Sequence, residues 1–245
     1  MTTAIADLSG KTILIAGATS GMGRATALMA ASAGGRLIVL GRDRRRLDET
    51  ARECRAAGAA DVAGIQIDAT DPDALDRVLG AHDDVLKTDI LVNSVGMNVM
   101  RRAFVELSRD DWLSMLDVNL NAAFNLTRAI LPPMRARGGG LVIHVASTAA
   151  VRPDLSGAAY QASKAAVRAM SHAVMEEEWA NGIRMTTILP GMTDTPLLDK
   201  RPVPIPAETR ANALQPEDVA RTCLYVMGLP PRAHVVEVLL QPARR

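Results

Sequence analysis

Residues Thr12 to Gly23, TILIAGATSGMG, decide how the chain folds. Thr12 to Ala16 is a short apolar, β-branched run of the kind that makes a buried parallel strand. Gly17 ends it, and glycines at 17, 21 and 23 allow a tight backbone turn. Arg24 to Ala33 is alanine-rich, a good helix former, and closes at Gly34-Gly35. A strand that turns through glycines into a helix offers free N–H groups and a positive dipole end, a natural seat for a phosphate. The spacing Gly17-x-x-x-Gly21-x-Gly23 is not the G-x-G-x-x-G fingerprint. On this stretch alone, a ligand-free glycine-rich turn explains the pattern equally well.

Working outward, Leu37 to Leu40 reads as a second strand, Asp43 to Ala57 as a charged helix stopped by Gly58, and Val62 to Ile67 as a third strand. Thr70-Asp71-Pro72 supplies a cap and a first-turn proline for a helix reaching about His82. Asp89 to Val92 is a fourth strand, followed by the loop NSVGMN. Ser108-Arg109-Asp110-Asp111 resembles a capping box and opens a long helix toward Arg137. Leu113, Leu116, Leu120, Phe124, Ile130 and Leu131 occupy its apolar positions. Leu141 to Ala146, Ile183 to Leu189 and Val235 to Leu240 complete the strands, with helices opening after Gly157 and at Pro216. This alternation predicts an α/β fold, a doubly wound parallel sheet of about seven strands with helices on both faces. Right-handed crossovers put every strand's carboxyl end on one edge. That edge gathers Gly17–Gly23, Asp68, Asn93, Ser147 and Pro190-Gly191. No linker interrupts the pattern, so residues 1–245 read as a single domain.

A net charge of +1 argues against a nucleic-acid or membrane-surface role, and 2% aromatics leave no base-stacking platform. Arg44-Arg45-Arg46 reads as a solvated helix face with Asp48 and Glu49 as partners. Cys54 and Cys223 fit no disulfide or metal spacing and read as reduced thiols of a cytoplasmic protein. His82, His144, His172 and His234 share no ligand spacing, so no metal is expected. No apolar run reaches bilayer length, and the opening MTTAIADLSGKT lacks a secretory pattern.

The second informative stretch is Ser147 to Lys164, STAAVRPDLSGAAYQASK. Tyr160 and Lys164 fall one helical turn apart on one face, and Ser147 closes the strand before them. A free phenol titrates near 10, out of reach of neutral proton exchange. A neighbouring ammonium favours the phenolate, and a shift to about 7 takes roughly 4 kcal/mol. Such a tyrosine exchanges a proton with a carbonyl or alcohol oxygen, while a serine hydroxyl holds that oxygen. A lone Tyr-x-x-x-Lys is a common chance pair on a surface helix. Here the chain has only two tyrosines, and the glycine turn stands where a cofactor would enter.

Gly17-x-x-x-Gly21-x-Gly23, Asn93-Ser94-Val95-Gly96, Asn119, Ser147, Tyr160-x-x-x-Lys164 and Pro190-Gly191 stand in the order of the short-chain dehydrogenase/reductase family, classical type. The chain resembles that family from about Leu8 to Pro242. Ala16, where the family often has threonine, and Asn93-Ser94-Val95-Gly96, for the more usual Asn-Asn-Ala-Gly, depart from the pattern. The resemblance implies a Rossmann-type fold and reversible hydride transfer between a nicotinamide cofactor and a ketone or secondary alcohol. Gly17, Thr19, Ser20, Gly21, Met22 and Gly23 would surround the cofactor phosphates. Asp68 and Ala69 would meet the adenine, Asn93 and Gly96 the adenosine side, and Pro190, Gly191, Thr193 and Thr195 the nicotinamide end. Tyr160 would move the proton, Lys164 would depress its pKa and bind the ribose, and Ser147 would hold the carbonyl oxygen. Asn119 would kink the long helix and support a water relay behind Lys164. Leu40-Gly41-Arg42-Asp43 has no acid at Gly41 to accept from a ribose, whereas Arg42, assisted by Arg24, suits a 2′-phosphate. NADP(H) is therefore favoured over NAD(H).

Family analogy sets the substrate walls at Met97, Ala149, Val151, Leu155, Met192, Leu197 and the segment at about 192–214. These are mostly apolar and suit a ketone or alcohol with hydrophobic bulk. Arg152 reads as a solvated loop arginine, a substrate carboxylate being its other use. The prolines of Arg201 to Pro206 make a stiff edge for a lid. The C-terminal part resembles the branch that includes 3-hydroxy acid dehydrogenases and related carbonyl reductases. The helices before Gly138 and after Gly157 are apolar on more than one side, and in the family they build a homodimer or homotetramer. Met170, Met175 and Trp179 are interface candidates that core packing explains equally well. Other readings are a catalytically idle NADP(H)-binding regulator, an enoyl reductase, epimerase or dehydratase on the same scaffold, and a nucleic-acid binder using Arg42 to Arg46. The intact Ser147, Tyr160 and Lys164 set favours carbonyl chemistry.

Overall fold

The computed structural model describes residues 6–244. Residues 1–5, the start of the stretch read for a secretory signal, and residue 245 lie outside the described residues, as do both ends of the expected domain. β1 (Thr12–Ala16) is buried along its whole length. It is followed by α1 (Gly21–Ser32), β2 (Arg36–Gly41), α2 (Arg44–Ala57), β3 (Asp61–Gln66), α3 (Pro72–Gly80), α4 (Asp83–Leu86) and β4 (Ile90–Asn93). The second half runs α5 (Arg109–Leu116), α6 (Ala122–Ala136), β5 (Gly140–Val145), α7 (Ala158–Glu178), β6 (Ile183–Pro190), α8 (Ala207–Ala211), α9 (Pro216–Met227) and β7 (Glu237–Leu240).

The seven strands form one parallel sheet in the order β3-β2-β1-β4-β5-β6-β7. The chain winds outward from β1 to β3, then returns to β1's other side with β4. That reversal opens a crevice above the carboxyl ends of β1 and β4. The doubly wound parallel α/β sheet read from the alternation is the one observed, and it is of the Rossmann type that the resemblance implies.

Strand side chains alternate between faces and so feed two cores. Ile13, Ile15, Leu37 and Val39 pack with Ala27, Ala30, Leu47, Val219 and Leu224 of α1, α2 and α9. Leu14, Ile38, Leu91 and Val142 pack with Leu75, Leu126, Ile130 and Met134 of α3 and α6. Caps set the helix starts: Asp43 accepts from Arg46 N at 3.1 Å and Asp71 from Ala74 N at 2.9 Å.

The long helix read from Ser108 to Arg137 is interrupted. A π turn at Asp117–Asn121 separates α5 from α6. One extra residue in a turn rotates the following face by about 100°, so no single apolar stripe runs the full length. Leu113 and Phe124, assigned to that stripe, are 47% and 49% exposed, while Met115, Leu126 and Met134 are buried. Met175 is buried in the second core rather than on an outer face, whereas Trp179 is exposed. Among the described residues no helix is long and apolar enough to cross a membrane.

Candidate active site

The turn between β1 and α1 forms the floor of a cavity of about 420 Å³. Gly17 has φ +77, and a Cβ there would lie 2.8 Å from the Ser94 carbonyl oxygen. A Cβ on Gly23 would stand 2.3 Å from the Gly17 carbonyl oxygen. Both positions therefore need glycine, and Gly23 packs beneath the turn instead of lining the cavity. Ser20 holds the N-cap position without a side-chain cap bond, which leaves the first N–H groups of α1 free to meet a ligand. Gly17, Thr19, Ser20, Gly21, Met22, Arg42, Asp68, Ala69, Gly96, Tyr160, Lys164 and Thr195 all line this cavity.

Arg42 and Arg46 stand at its far end, where β2 runs out. Arg42 faces Asp68 at 3.6 Å, and Arg46 pairs with Asp43. Burial pushes the Asp68 carboxyl up, but the Thr70 N–H and hydroxyl and the Arg42 guanidinium together outweigh it, so it lies below the usual carboxylate value. Arg24 is not at the cavity: it pairs with Glu53 at 2.5 Å. Arg46, which pattern alone placed on a solvated face, lines the cavity with Arg42.

Asn93 turns into the interior and does not line the cavity. Its Oδ1 accepts from Val95 N at 3.0 Å, and its Nδ2 donates to His144 Nδ1 at 3.3 Å. His144 Nε2 then faces the Thr127 hydroxyl at 3.2 Å, whose own proton goes to the Ala123 carbonyl. This chain of bonds requires the neutral Nε2–H tautomer. Burial, reinforced by the Lys164 charge, pushes the imidazole down to about 4.

Tyr160 and Lys164 rise from the first turns of α7 into the crevice, and both are buried. Lys164 Nζ donates to the Val145 carbonyl at 3.3 Å and lies 5.9 Å from the centre of the Tyr160 ring. Burial pushes its ammonium down to about 8. The Tyr160 phenol is pushed up rather than depressed. Burial is the largest cause; the Ser147 hydroxyl, Arg102 and Arg201 act to lower it, and Asp154 to raise it. The expected pull from Lys164 is not among the causes; the positive charges that act on the phenol are Arg102 and Arg201, which line a second cavity with it. Asn119 sits buried in the π turn. Its Oδ1 accepts from Met97 N at 2.7 Å, and its Nδ2 donates to the Met97 carbonyl and, at 3.0 Å, to Ser163 Oγ. It ties the loop after β4 to α7 and so fixes the helix that carries Tyr160.

This second cavity, about 90 Å³, adjoins the first at Tyr160. Ser147, Tyr160, Pro190, Gly191, Met192, Thr193, Thr195 and Leu197 line it, so residues expected at the nicotinamide end and at the substrate end share it. Of the apolar walls expected of it, Met192 and Leu197 are in place, and Met97 and Ala149 pack in the small cluster that contains Tyr160, while Val151 and Leu155 are 40% and 91% exposed. Asn98, Arg102, Thr148, Asp154, Ser156 and Arg201 complete the lining. Arg152 reaches Gln241 at 3.3 Å and is not part of the wall. Arg201 lies inside the expected 192–214 segment, and Arg102 follows β4 on the strand-end edge. Topology could have signalled both, but residue type could not. Tyr160, Met22, Ala146, Thr195 and Leu197 border both cavities.

The model of the short chain dehydrogenase family matches residues 11–203. This chain belongs to that family. The dehydrogenase is 32% identical over 240 residues to a serine 3-dehydrogenase of Agrobacterium fabrum, a match covering 96% of this chain and 94% of the relative. Among solved structures, the closed form of a serine dehydrogenase complexed with NADP+ superposes with a TM-score of 0.86 at 28% identity over 96% of each chain. A 3-ketoacyl-(acyl-carrier-protein) reductase from Brucella melitensis, complexed with NADH, gives 0.86 at 26% identity over 97% of this chain and 99% of that one. The chain is an NAD(P)-dependent oxidoreductase. Its own residues fit such a dinucleotide: Gly17 and Gly21 line the cavity without side chains, and the N–H groups at the start of α1 are free beside it.

Proposed function

We propose that the enzyme transfers a hydride reversibly between NADP(H) and the carbonyl or carbinol carbon of a small ketone or secondary alcohol, a 3-hydroxy acid fitting best. The observation that carries this reading is Tyr160 on the border of two cavities, one floored by a phosphate-type cradle and one small and polar. When bound, the nicotinamide supplies or takes up the hydride. In reduction, Tyr160 gives its proton to the substrate oxygen, and its raised pKa keeps the acid form populated at neutral pH. In oxidation it accepts the alcohol proton, and the cations around it stabilise the resulting phenolate. Ser147 holds the substrate oxygen beside the phenol. Lys164 orients the ribose hydroxyls and keeps a positive charge under the site, while Asn119 holds α7 in place.

The NADP(H) preference rests on Arg42 just after β2, Arg46 in the first turn of α2 and Gly41 standing where an acid would repel a 2′-phosphate. The serine dehydrogenase neighbour with NADP+ supports it, and the reductase with NADH marks the alternative. One catalytic domain, with its substrate segment at about 192–214, and a cytoplasmic setting complete the reading; buried thiols at Cys54 and Cys223 accord with that setting. A homodimer or homotetramer is supported by exposed Leu113, Phe124 and Trp179 on and beside α5, α6 and α7. A panel of 3-hydroxy acids, alcohols and 3-oxo esters, followed at the NADPH absorbance, tests the reaction. Turnover of none of them would refute it.

A further inference from the structure

We infer that Arg102 and Arg201 anchor a carboxylate of the substrate in the smaller cavity beside Tyr160, making a short hydroxy or oxo acid the natural ligand. The inference rests on the dehydrogenase reading above and specifies the substrate end of the same site.

Arg102 is only 6% exposed. One Nη donates to the Lys200 carbonyl, and Nε has no partner. Among the described residues neither Arg102 nor Arg201 belongs to an ion pair. A buried guanidinium with an unused donor is unfavourable unless something acidic meets it. The candidate within the wall, Asp154, accepts the Ser156 N–H at 2.8 Å through Oδ1 and pairs with neither arginine. Two like charges facing one small cavity strengthen the case. Burial and the Arg201 charge push the Arg102 guanidinium down, and the Tyr160 phenol and the Asp154 carboxylate only partly offset them.

The position of Arg102 is built in. A Cβ on Gly157 would lie 2.7 Å from the Arg102 carbonyl oxygen, so the loop after β4 is wedged against the residue that starts α7. This fixes Arg102 relative to Tyr160, three residues into that helix. The hydroxyl of Ser156, also on this wall, has no partner either. A cavity of about 90 Å³ leaves room only for a short ligand. That suits a four-carbon hydroxy acid, with the carboxylate on the guanidinium fork and the carbinol beside Tyr160 and Ser147.

The test compares 3-hydroxybutyrate with its uncharged methyl ester as substrates for NADP+ reduction. The wild type should prefer the acid. Arg102→Met should raise KM for the acid about 10- to 100-fold and change KM for the ester less than about threefold, while the shift of the Tyr160 phenol changes kcat alike for both. Arg102→Lys should recover part of the KM loss, and Arg201→Met, at a half-buried position, should show a smaller rise of the same kind. Equal use of acid and ester by the wild type, or equal rises in KM on both in Arg102→Met and Arg201→Met, would overturn the anchor and leave the dehydrogenase standing. If neither compound is turned over, calorimetric titration of 3-hydroxybutyrate into the NADP+-loaded wild type decides. Binding that the ester does not reproduce and Arg201→Met weakens supports the anchor apart from the reaction; no binding overturns it.

Discussion

The two cavities beside Tyr160 are built differently. The larger has a backbone floor, glycines that admit a close approach and the free N–H groups of α1 within one stretch from Gly17 to Gly23, under walls from the ends of β2 to β5, α7 and the segment from Thr195 to Lys200. The smaller, apart from Met22 and Tyr160, draws on four separated segments, around Asn98–Arg102, Ser147–Ser156, Pro190–Thr193 and Leu197–Arg201. A backbone cradle accepts one kind of group and tolerates little change. A wall assembled from side chains of distant loops can be altered one residue at a time, which is how a shared scaffold comes to serve different substrates.

The contrast can be broken most sharply at the border itself. Tyr160→Phe should reduce kcat by about 10²- to 10⁴-fold while NADPH binding, read by fluorescence, stays near the wild-type value. Full turnover in that variant would remove the phenol from the mechanism. Next in size is an effect from beneath both cavities. His144 is neutral in the fold with its pKa near 4, whereas in the unfolded chain it titrates near 6.5. As pH falls from about 6.5 to about 4 the unfolded chain takes up the proton first, so stability is lost across that window, by about 3 kcal/mol in all. Urea unfolding of the wild type and His144→Gln at pH 7 and pH 4.5 checks this, the variant showing the smaller pH dependence.

Gly23→Ala should damage the cradle alone. The added methyl meets the Gly17 carbonyl, so a loss of about 1–3 kcal/mol in stability and weaker NADPH binding are expected. Arg42→Ala should raise the KM for NADPH about 10-fold and leave NADH nearly unchanged. Equal changes in both would sever Arg42 from cofactor choice. The smallest effect lies in pH profiles. Oxidation needs Tyr160 without its proton and rises with pH; reduction needs the proton and falls. Arg102→Met removes a cation that pulls the phenol down, so both limbs should move to higher pH, and Asp154→Asn should move them lower.

The same contrast explains what the sequence revealed. Buried strands such as Thr12–Ala16, the caps Asp43 and Asp71, and the cradle are local patterns, readable wherever neighbours in the chain are also neighbours in space. Ser147, Tyr160 and Lys164 were legible because a strand end and one helical turn suffice to bring them together. The far wall was not. Leu155 and Val151 follow Ser147 in the chain yet face outward, while Arg102 enters through contacts with Lys200 and the Gly157 turn that no local pattern encodes. Arg24 and Arg46 exchanged expected places for the same reason. Glu53 on the neighbouring helix draws Arg24 away, and the start of α2 brings Arg46 to the cavity. Leu113 and Phe124 were misplaced because the π turn shifts the helical face by a residue that hydrophobic spacing does not disclose.

The central claim is a hydride passed directly between substrate carbon and nicotinamide. Oxidising 3-hydroxybutyrate deuterated at C3 with NADP+ and reading the product by NMR tests it most directly. The account predicts one deuterium at C4 of the nicotinamide for each oxo acid formed. NADPH without the label, or no NADPH at all, would contradict it.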